Sequence, residues 1–234
     1  MTEPTFRSGV TVELMDSMGT QESIVRAARV STAGADSRGA AANEGLLKRL
    51  YKDGHGTPFE SCVLSFYFEV PIFISRQIVK HRLSSINEVS GRYSELEGVF
   101  YFPDEQRKIV QVGKTADYEF EEGDLEQARP VNNCVQGVSE VAWAAYEGLL
   151  EKGIAKEVAR MVLPVNTYTQ LYMTANLRSW LNFIQLRVDW GEGAAKRSHA
   201  QYEVELVGRE VAKQIEIHFP TVFQSFVDAG YQAV

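Results

Sequence analysis

Long segments of helical character fill most of the second half of the chain, and they constrain the fold more than any other feature. In the stretch 176–189, polar residues fall on one helical face and apolar residues on the other. Strand-like runs are few, and one extended piece is predicted at 167–174. Many helices with few strands predict an α+β (α/β) fold, in which helices flank a modest mixed sheet. The predicted helices of this half cover 125–151, 155–163, 176–188 and 198–218.

The first half of the chain alternates between shorter helices and strands. Thr20 is a candidate N-cap, and two glycines and a proline predict a loop at 53–58. Pro71 fits the first turn of a helix that ends near Arg82, so a loop rich in polar residues follows that helix. The polar segment 104–124 is predicted to be an exposed excursion. The predicted elements are strands at 10–15, 62–70 and 99–102 and helices at 20–30, 40–52 and 71–82.

Composition places the chain among globular proteins. With 234 residues, of which 44% are hydrophobic, it can bury a core, and a single domain over 1–234 is expected. The N-terminus lacks a secretory pattern and no apolar run approaches the ~20 residues of a membrane helix, so a cytoplasmic protein is expected. Two cysteines, Cys62 and Cys134, are too few for a disulfide framework, and both are predicted to be reduced and structural. A formal charge of -7 argues against a nucleic-acid binder.

Cations concentrate between residues 71 and 93 of this otherwise acidic chain, where Glu88 is the only carboxylate. Gln77, Lys80 and His81 are about one turn apart and are predicted to share a helical face. Such cations can simply complement the helix dipole. The hydroxyls, amides and guanidinium that follow instead favour a bound anion such as phosphate. The cations are Arg76, Lys80, His81, Arg82 and Arg92.

Arg187 falls inside the apolar arc of the 176–189 helix, seven residues after Trp180. An unpaired buried guanidinium is costly, so this side chain needs a partner, either in a salt bridge or on an anionic or acidifiable ligand. The histidines show no metal-ligand spacing, and no metal site is predicted. Cys62 lies in an apolar run typical of a core. No glycine-rich nucleotide loop of the Rossmann or Walker type is present, so any nucleotide or flavin is held in another way.

Ordered motifs along nearly the whole chain resemble those of the flavin-dependent thymidylate synthase family. The family signature of Arg-His-Arg, seven residues and Ser appears as Lys80-His81-Arg82 and Ser90. Its extended form, Asn-Glu-x-Ser-x-Arg-Tyr, occupies 87–93. Further family-like motifs lie at 26–31, 55–60, 76–77, 157–164, 176–187 and 198–201.

The resemblance implies the fold of that family, a homotetramer, and active sites formed between subunits. It implies the ligands dUMP, methylenetetrahydrofolate, NADPH and FAD. In the implied reaction NADPH reduces the flavin, the folate supplies a one-carbon unit, and the reduced flavin supplies the hydride that completes the methyl group of dTMP. Tetrahydrofolate is released.

The resemblance also carries residue roles over by position. Arg187 is the implied catalytic residue, which favours ionisation of the pyrimidine at N3. The implied dUMP site consists of Gln77, Lys80, Glu88, Val89, Ser90, Gly91, Arg92, Arg160 and Arg187. The implied FAD site consists of Ser31, His55, Thr57, Glu60, Lys80, His81, Arg82, Glu88, Asn176, Arg178 and Asn182.

The chain departs from the family pattern in two places. Lys80 replaces an arginine and lacks its planar fork, and the link over 189–197 is longer than usual. Two alternatives therefore stay open. One is a flavin- or nucleotide-binding protein that Lys80 has weakened as a catalyst, and the other is a synthase that uses a cysteine.

Overall fold

The computed structural model describes residues 2–31, 39–114 and 117–234. The chain divides into two compact units. The first contains Met1–Gly9, Val70–Ser75 and Glu88–Gln170, and the second contains Val10–Glu69, Arg76–Asn87 and Leu171–Val234. The single domain over 1–234 stays a prediction. Within the described part of the chain, no helix combines the length and the apolar character needed to cross a membrane.

The described residues form both helices and strands, as predicted for an α+β fold. The strands are β1 (Thr5–Arg7), β2 (Thr11–Met18), β3 (Val63–Pro71), β4 (Ser85–Glu88), β5 (Val99–Tyr101), β6 (Val110–Lys114), β7 (Asp117–Glu121) and β8 (Tyr168–Asn176). The helices are α1 (Gln21–Arg29), α2 (Ala40–Lys52), α3 (Ile72–Ile78), α4 (Leu125–Glu151), α5 (Lys156–Ala159), α6 (Leu177–Arg187), α7 (Tyr202–His218) and α8 (Pro220–Asp228). Short 3-10 helices cover Thr57–Ser61, Arg160–Val162 and Gly191–Gly193.

The second unit is organised around a four-stranded sheet with the order β2-β3-β8-β4. Strands β2 and β3 are antiparallel, with Thr11 opposite Glu69. Along β3 every second side chain is buried, because alternate residues of a strand point to one face. Helix α6 covers this face, and the Trp180 ring meets the Phe66 ring edge-on at 4.8 Å. The sheet thereby fixes α6, which carries several of the predicted site residues.

The first unit combines a small parallel pair, a hairpin and a long helix. Strands β1 and β5 pair in parallel, and β6 and β7 form an antiparallel hairpin. Helix α4 begins after Asp124, whose carboxylate accepts from the Gln127 amide at 2.9 Å. Its buried Trp143 and Tyr146 pack with Phe100. The hairpin gives regular structure to the segment that the sequence predicted as an exposed excursion.

The prediction that helix α3 runs to Arg82 was wrong, because α3 ends at Ile78. The Gln77 carbonyl accepts from Nη2 of Arg187 at 3.2 Å, while the His81 amide donates to Ile78 instead. Lys80 and His81 therefore lie beyond the helix, and they share no helical face with Gln77. A tertiary hydrogen bond to the backbone thus sets where this helix ends.

Other boundaries differ less from the sequence predictions. Strand β4 occupies part of the predicted polar loop, and α7 begins at Tyr202 rather than at 198. Strand β1 and helix α8 were not predicted. Both cysteines are free thiols, and Cys134 is exposed. Cys62 is buried, as predicted, and burial raises the pKa of its thiol.

Candidate functional site

A cavity of about 1060 Å³ lies within the second unit, along the length of α6 and beside the 80–83 loop. Cationic side chains dominate its polar lining, since Lys80, Arg82, Arg178 and Arg187 face it together with the carboxylate of Glu60. Such a lining favours an anionic ligand. Seven of the residues implied for the FAD site line it, namely Glu60, Lys80, His81, Arg82, Asn176, Arg178 and Asn182.

Arg187, at the end of α6, is held by two polar contacts at the cavity wall. Its Nε donates to Nε2 of His81 at 3.1 Å, and its Nη2 donates to the Gln77 carbonyl at 3.2 Å. The sequence predicted that this guanidinium needs a partner, and the structure supplies a ring nitrogen and a carbonyl rather than a carboxylate. The charge of Arg187 is therefore not neutralised by these contacts, and its remaining N–H groups are left for a ligand.

His81 is a neutral acceptor in this arrangement. Burial, with a further contribution from the Arg187 charge, lowers the pKa of His81 to about 4. Its ring also meets the Phe183 ring edge-on, with the centroids 4.7 Å apart. A neutral imidazole whose Nε2 accepts must carry its proton on Nδ1. That Nδ1–H is then the one N–H donor of the ring.

Arg178 is fixed at the other end of α6 by contacts along both edges of its guanidinium. Its Nη1 donates to Glu60 at 2.7 Å, and its Nε donates to the main-chain oxygen of Val234 at 2.8 Å. Asn176 caps the same helix, because its side-chain oxygen accepts from the Ser179 amide at 2.8 Å. A Cβ atom at Gly56 would lie only 2.5 Å from Nε of Arg178. The glycine therefore makes room for the guanidinium.

A chain of amides connects Gln77 to a buried carboxylate. The Nε2 atom of Gln77 donates to Oε1 of Gln201 at 2.5 Å, and Nε2 of Gln201 donates to Glu203 at 2.8 Å. Because a carboxylate only accepts, Glu203 sets which way the Gln201 amide points, and Gln201 does the same for Gln77. The Ser-His-Ala-Gln motif thus supports a residue implied for the dUMP site.

The remaining residues implied for the dUMP site form a group within the first unit. Glu88 accepts from Thr169 at 2.8 Å, and Arg92 pairs with Glu157 at 2.8 Å. A Cβ at Gly91 would lie 3.1 Å from Cδ of Arg160, so this glycine lets the loop approach that arginine. The Val89 amide donates to the Gln170 carbonyl, and the Ser90 hydroxyl accepts from the Arg92 amide at 3.3 Å.

Several implied FAD residues of the second unit do not line the cavity. Ser31, His55 and Thr57 are exposed, and the Ser31 hydroxyl donates to its own helix at Ala28. Sequence reasoning also missed lining residues. The position of Gln185 on the predicted polar face of α6 could have indicated that it lines the cavity. Nothing in the sequence around Ala233 and Val234 indicated this. The missed lining residues are Leu83, Met173, Ser179, Gln185, Leu186, Ala233 and Val234.

Known proteins are similar to this chain over almost its full length. A family model described as thymidylate synthase complementing protein matches residues 13–221. A flavin-dependent thymidylate synthase of Streptomyces avermitilis is 40% identical over 97% of this chain and 95% of its own length. The chain belongs to the flavin-dependent thymidylate synthase family. A flavin-dependent thymidylate synthase of Tropheryma whipplei is 39% identical over 97% of this chain.

The fold of this family member agrees with a solved structure. A UMP/dUMP methylase, PolB from Streptomyces cacaoi, bound with 5-Br UMP, superposes with a TM-score of 0.92 over 99% of both chains at 38% identity. The family predicted from the ordered motifs is confirmed, as is the mixed α+β architecture. The residue roles implied by the motifs stay predictions.

Proposed function

We propose that the chain catalyses the reductive methylation of dUMP to dTMP, with methylenetetrahydrofolate as the one-carbon donor and NADPH as the reductant. The products are dTMP, tetrahydrofolate and NADP⁺. The arrangement of Arg187 carries the proposal, because a charged guanidinium is held at the cavity wall by two acceptors that leave its charge uncompensated. The relatives' shared name and the nucleotides in the PolB title support the same substrate class.

The cavity of the second unit fits FAD in its chemistry. Its cations suit a pyrophosphate, and the Asn182 amide and the Nδ1–H of His81 suit the polar edges of a flavin. Arg82, Arg178 and Lys80 would hold the phosphates, while Asn176 keeps α6 in place. When bound, FAD would supply the hydride for the methyl group after reduction by NADPH. Thr57, Ser31 and His55 stay implied contacts of the same cofactor.

Arg187 would act on the pyrimidine ring. A guanidinium facing N3 and its neighbouring carbonyl stabilises negative charge on the ring, and this raises the nucleophilicity of C5 toward the one-carbon unit. The Gln77 carbonyl and His81 hold the guanidinium before the substrate arrives, so little reorganisation is needed. Glu88, Val89, Ser90, Gly91, Arg92 and Arg160 of the first unit stay implied contacts of dUMP, and Ser90 and the two arginines are suited to a phosphate.

The direct test is mass-spectrometric detection of dTMP from dUMP, methylenetetrahydrofolate and NADPH, with and without added FAD. The proposal expects product only when FAD and NADPH are both present. UMP is run as a competing substrate, since PolB is described as a methylase of both nucleotides. Absence of product from folded, flavin-loaded protein would refute the proposed reaction.

A cysteine-dependent route has a separate test. Cys62 is buried with a raised thiol pKa, and Cys134 is exposed on α4. A thiolate nucleophile requires the opposite conditions, namely a lowered pKa beside the substrate. The proposal therefore expects turnover to survive in Cys62→Ser and in Cys134→Ser. Loss of turnover in either folded variant would favour the cysteine route.

Binding without turnover is a second candidate function, and one observation favours it. Lys80 lines the cavity at the position where the family signature has arginine. A lysine cannot make the bidentate contact of a guanidinium. Under this alternative the wild-type chain binds flavin or nucleotide but forms no dTMP, and Lys80→Arg gains the activity.

We also propose that the chain assembles as a homotetramer. Helix α4 bears an apolar groove lined by Cys134, Val138 and Val141, with Val162 beside it. Val138 is 60% and Val141 72% exposed, which is unusual for side chains on one apolar stripe unless another chain covers them. Light scattering is expected to give four times the chain mass, and Val141→Glu is expected to lower it. A wild-type monomer would contradict the assembly.

A further inference from the structure

We propose that Trp190 and Tyr231 are positioning residues for the cavity. They hold the 229–234 segment, here called the tail, and the tail in turn holds Arg178 and Gln185. That the ligand is FAD rests on the proposed function, whereas the positioning role of the two rings rests on their contacts. It gives the longer 189–197 link a role in cofactor affinity.

The 189–197 link has a defined conformation of its own. Asp189 accepts from the Gly191 amide at 3.0 Å and pairs with Arg197 at 3.1 Å. The indole N–H of Trp190 donates to the Ile184 carbonyl at 3.2 Å. The link is thereby tied to α6, which carries both Arg178 and Arg187.

The tail leaves α8 through a tight turn. The Tyr231 amide donates to Phe226 and the Gly230 amide to Val227, the pair of bonds that closes a helix through a left-handed glycine. Gly230 has φ +64, and Tyr231 itself has φ 60, a conformation that is uncommon for a residue with a side chain. A residue stays in such a conformation only where surrounding contacts over-determine it.

Contacts of the Tyr231 ring and of Gly230 hold Tyr231 in this backbone conformation. The ring stacks on Trp190, with the centroids 4.4 Å apart and the planes 7° from parallel. It also meets the Phe226 ring edge-on at 5.5 Å. The Ala195 amide of the link donates to the Gly230 carbonyl at 2.8 Å. The link and the tail are therefore joined by a backbone hydrogen bond and an aromatic stack.

Beyond Tyr231, the tail reaches the cavity. The Ala233 amide donates to Oε1 of Gln185 at 2.8 Å, and the main-chain oxygen of Val234 accepts from Nε of Arg178 at 2.8 Å. The hydroxyl of Tyr51 anchors the intervening Gln232 carbonyl at 2.7 Å. With Nε taken by the tail and Nη1 by Glu60, the Arg178 guanidinium keeps one orientation. A guanidinium that is already oriented loses less conformational entropy when it binds a phosphate.

The experiment measures FAD affinity by quenching of flavin fluorescence in the full chain. Trp190→Ala is expected to weaken binding about tenfold, and Trp190→Phe, which keeps a ring to stack, is expected to recover most of it. Tyr231→Asn removes the ring but tolerates the left-handed backbone, so it separates loss of the stack from backbone strain. The matched control is Phe223→Leu, which loosens the same aromatic cluster without breaking the Trp190–Tyr231 stack.

Two further readouts show whether the effect passes through the tail. In an Arg178→Ala background, Tyr231→Asn is expected to change FAD affinity less than twofold. Hydrogen exchange at the Ala233 amide, measured without any flavin, is expected to accelerate at least tenfold in Trp190→Ala and Tyr231→Asn. Unchanged exchange, or unchanged FAD affinity in both variants, would overturn the inference. A wild-type chain that fails to bind FAD would instead overturn the cofactor in the proposed function, and exchange would then decide the role of the stack.

Discussion

The Nε atom of Arg187 lies 3.1 Å from the Nε2 atom of His81, so a residue implied for substrate activation rests directly on one implied for the cofactor. The same guanidinium takes the Gln77 carbonyl that would otherwise continue helix α3. One arginine therefore ends a helix, selects a histidine tautomer and presents its remaining N–H groups to the cavity.

Replacement of Arg187 is expected to lower turnover strongly. Arg187→Ala removes the positive charge at the ring, and the loss of such a preorganised electrostatic contact lowers kcat by about 10²–10³-fold. Arg187→Lys is expected to recover little, because one ammonium group cannot serve His81, Gln77 and the ligand together. Single-turnover dTMP formation measures the effect. Arg49→Ala, which removes an exposed arginine paired with Asp53, is the control, and full activity in Arg187→Ala would contradict the assigned role.

His81 makes stability depend on pH in a defined window. In the unfolded chain this histidine takes a proton near pH 6.5, whereas in the folded chain its pKa is about 4. Between these values the unfolded state binds more protons, so the free energy of unfolding falls as the pH is lowered from 6.5 to 4. The expected loss of unfolding free energy is about 2 kcal/mol. This is less than the difference between the two pKa values would give in full, because solvent screens the charge on a partly exposed ring.

The measurement is urea unfolding of the wild type and of His81→Gln at pH 7 and at pH 4.5. Glutamine can still accept from Arg187 but does not titrate, so the variant is expected to lose less stability on acidification than the wild type. If the two proteins lose the same amount, the buried neutral histidine is not the cause.

Lys80→Arg is expected to tighten ligand binding modestly. A guanidinium at this cavity position can contact a phosphate with two N–H groups where the ammonium offers a point charge, which corresponds to about a threefold gain in affinity. Titration of FAD and of dUMP measures this, alongside turnover of both proteins. The proposed function expects wild-type turnover within about tenfold of the variant. A wild type with no turnover and an active variant would favour binding without catalysis.

Gly56→Ala is expected to disturb Arg178. The backbone at Gly56 has φ -71, so alanine adds no strain there, but its Cβ would lie 2.5 Å from Nε of Arg178. The guanidinium must then leave Glu60 or Val234. FAD affinity is expected to fall by about tenfold, because a guanidinium that is no longer held in one orientation loses more conformational entropy on binding. The control is Gly45→Ala at an exposed position of α2, where an added Cβ meets no described atom of another element within 4 Å and stability is expected to rise by up to about 1 kcal/mol. Equal FAD affinity in the two variants would contradict the prediction.

Local patterns in the sequence were sufficient for most elements of the fold. Alternating burial along β3 and the two-sided pattern of α6 follow directly from the order of apolar residues, since backbone geometry alone decides which side chains share a face. The motif order was sufficient for the family, and the apolar position of Arg187 was sufficient to require a partner. The elements and the apolar position of Arg187 are properties of neighbours within about one or two turns, whereas the family rests on the order of motifs along the chain.

Only the tertiary structure decided how distant residues meet. The end of α3 depends on an arginine 110 positions later, and the orientation of Arg178 depends on Val234, 56 positions later. Ala233 and Val234 line the cavity without a local pattern, because two residues in an irregular segment show no helical or strand period. The sequence by itself determined most of the elements, the family and the need for a partner at Arg187. The fold determined which atoms meet that need, because hydrogen bonds between remote segments form only once packing has brought donor and acceptor within hydrogen-bonding distance.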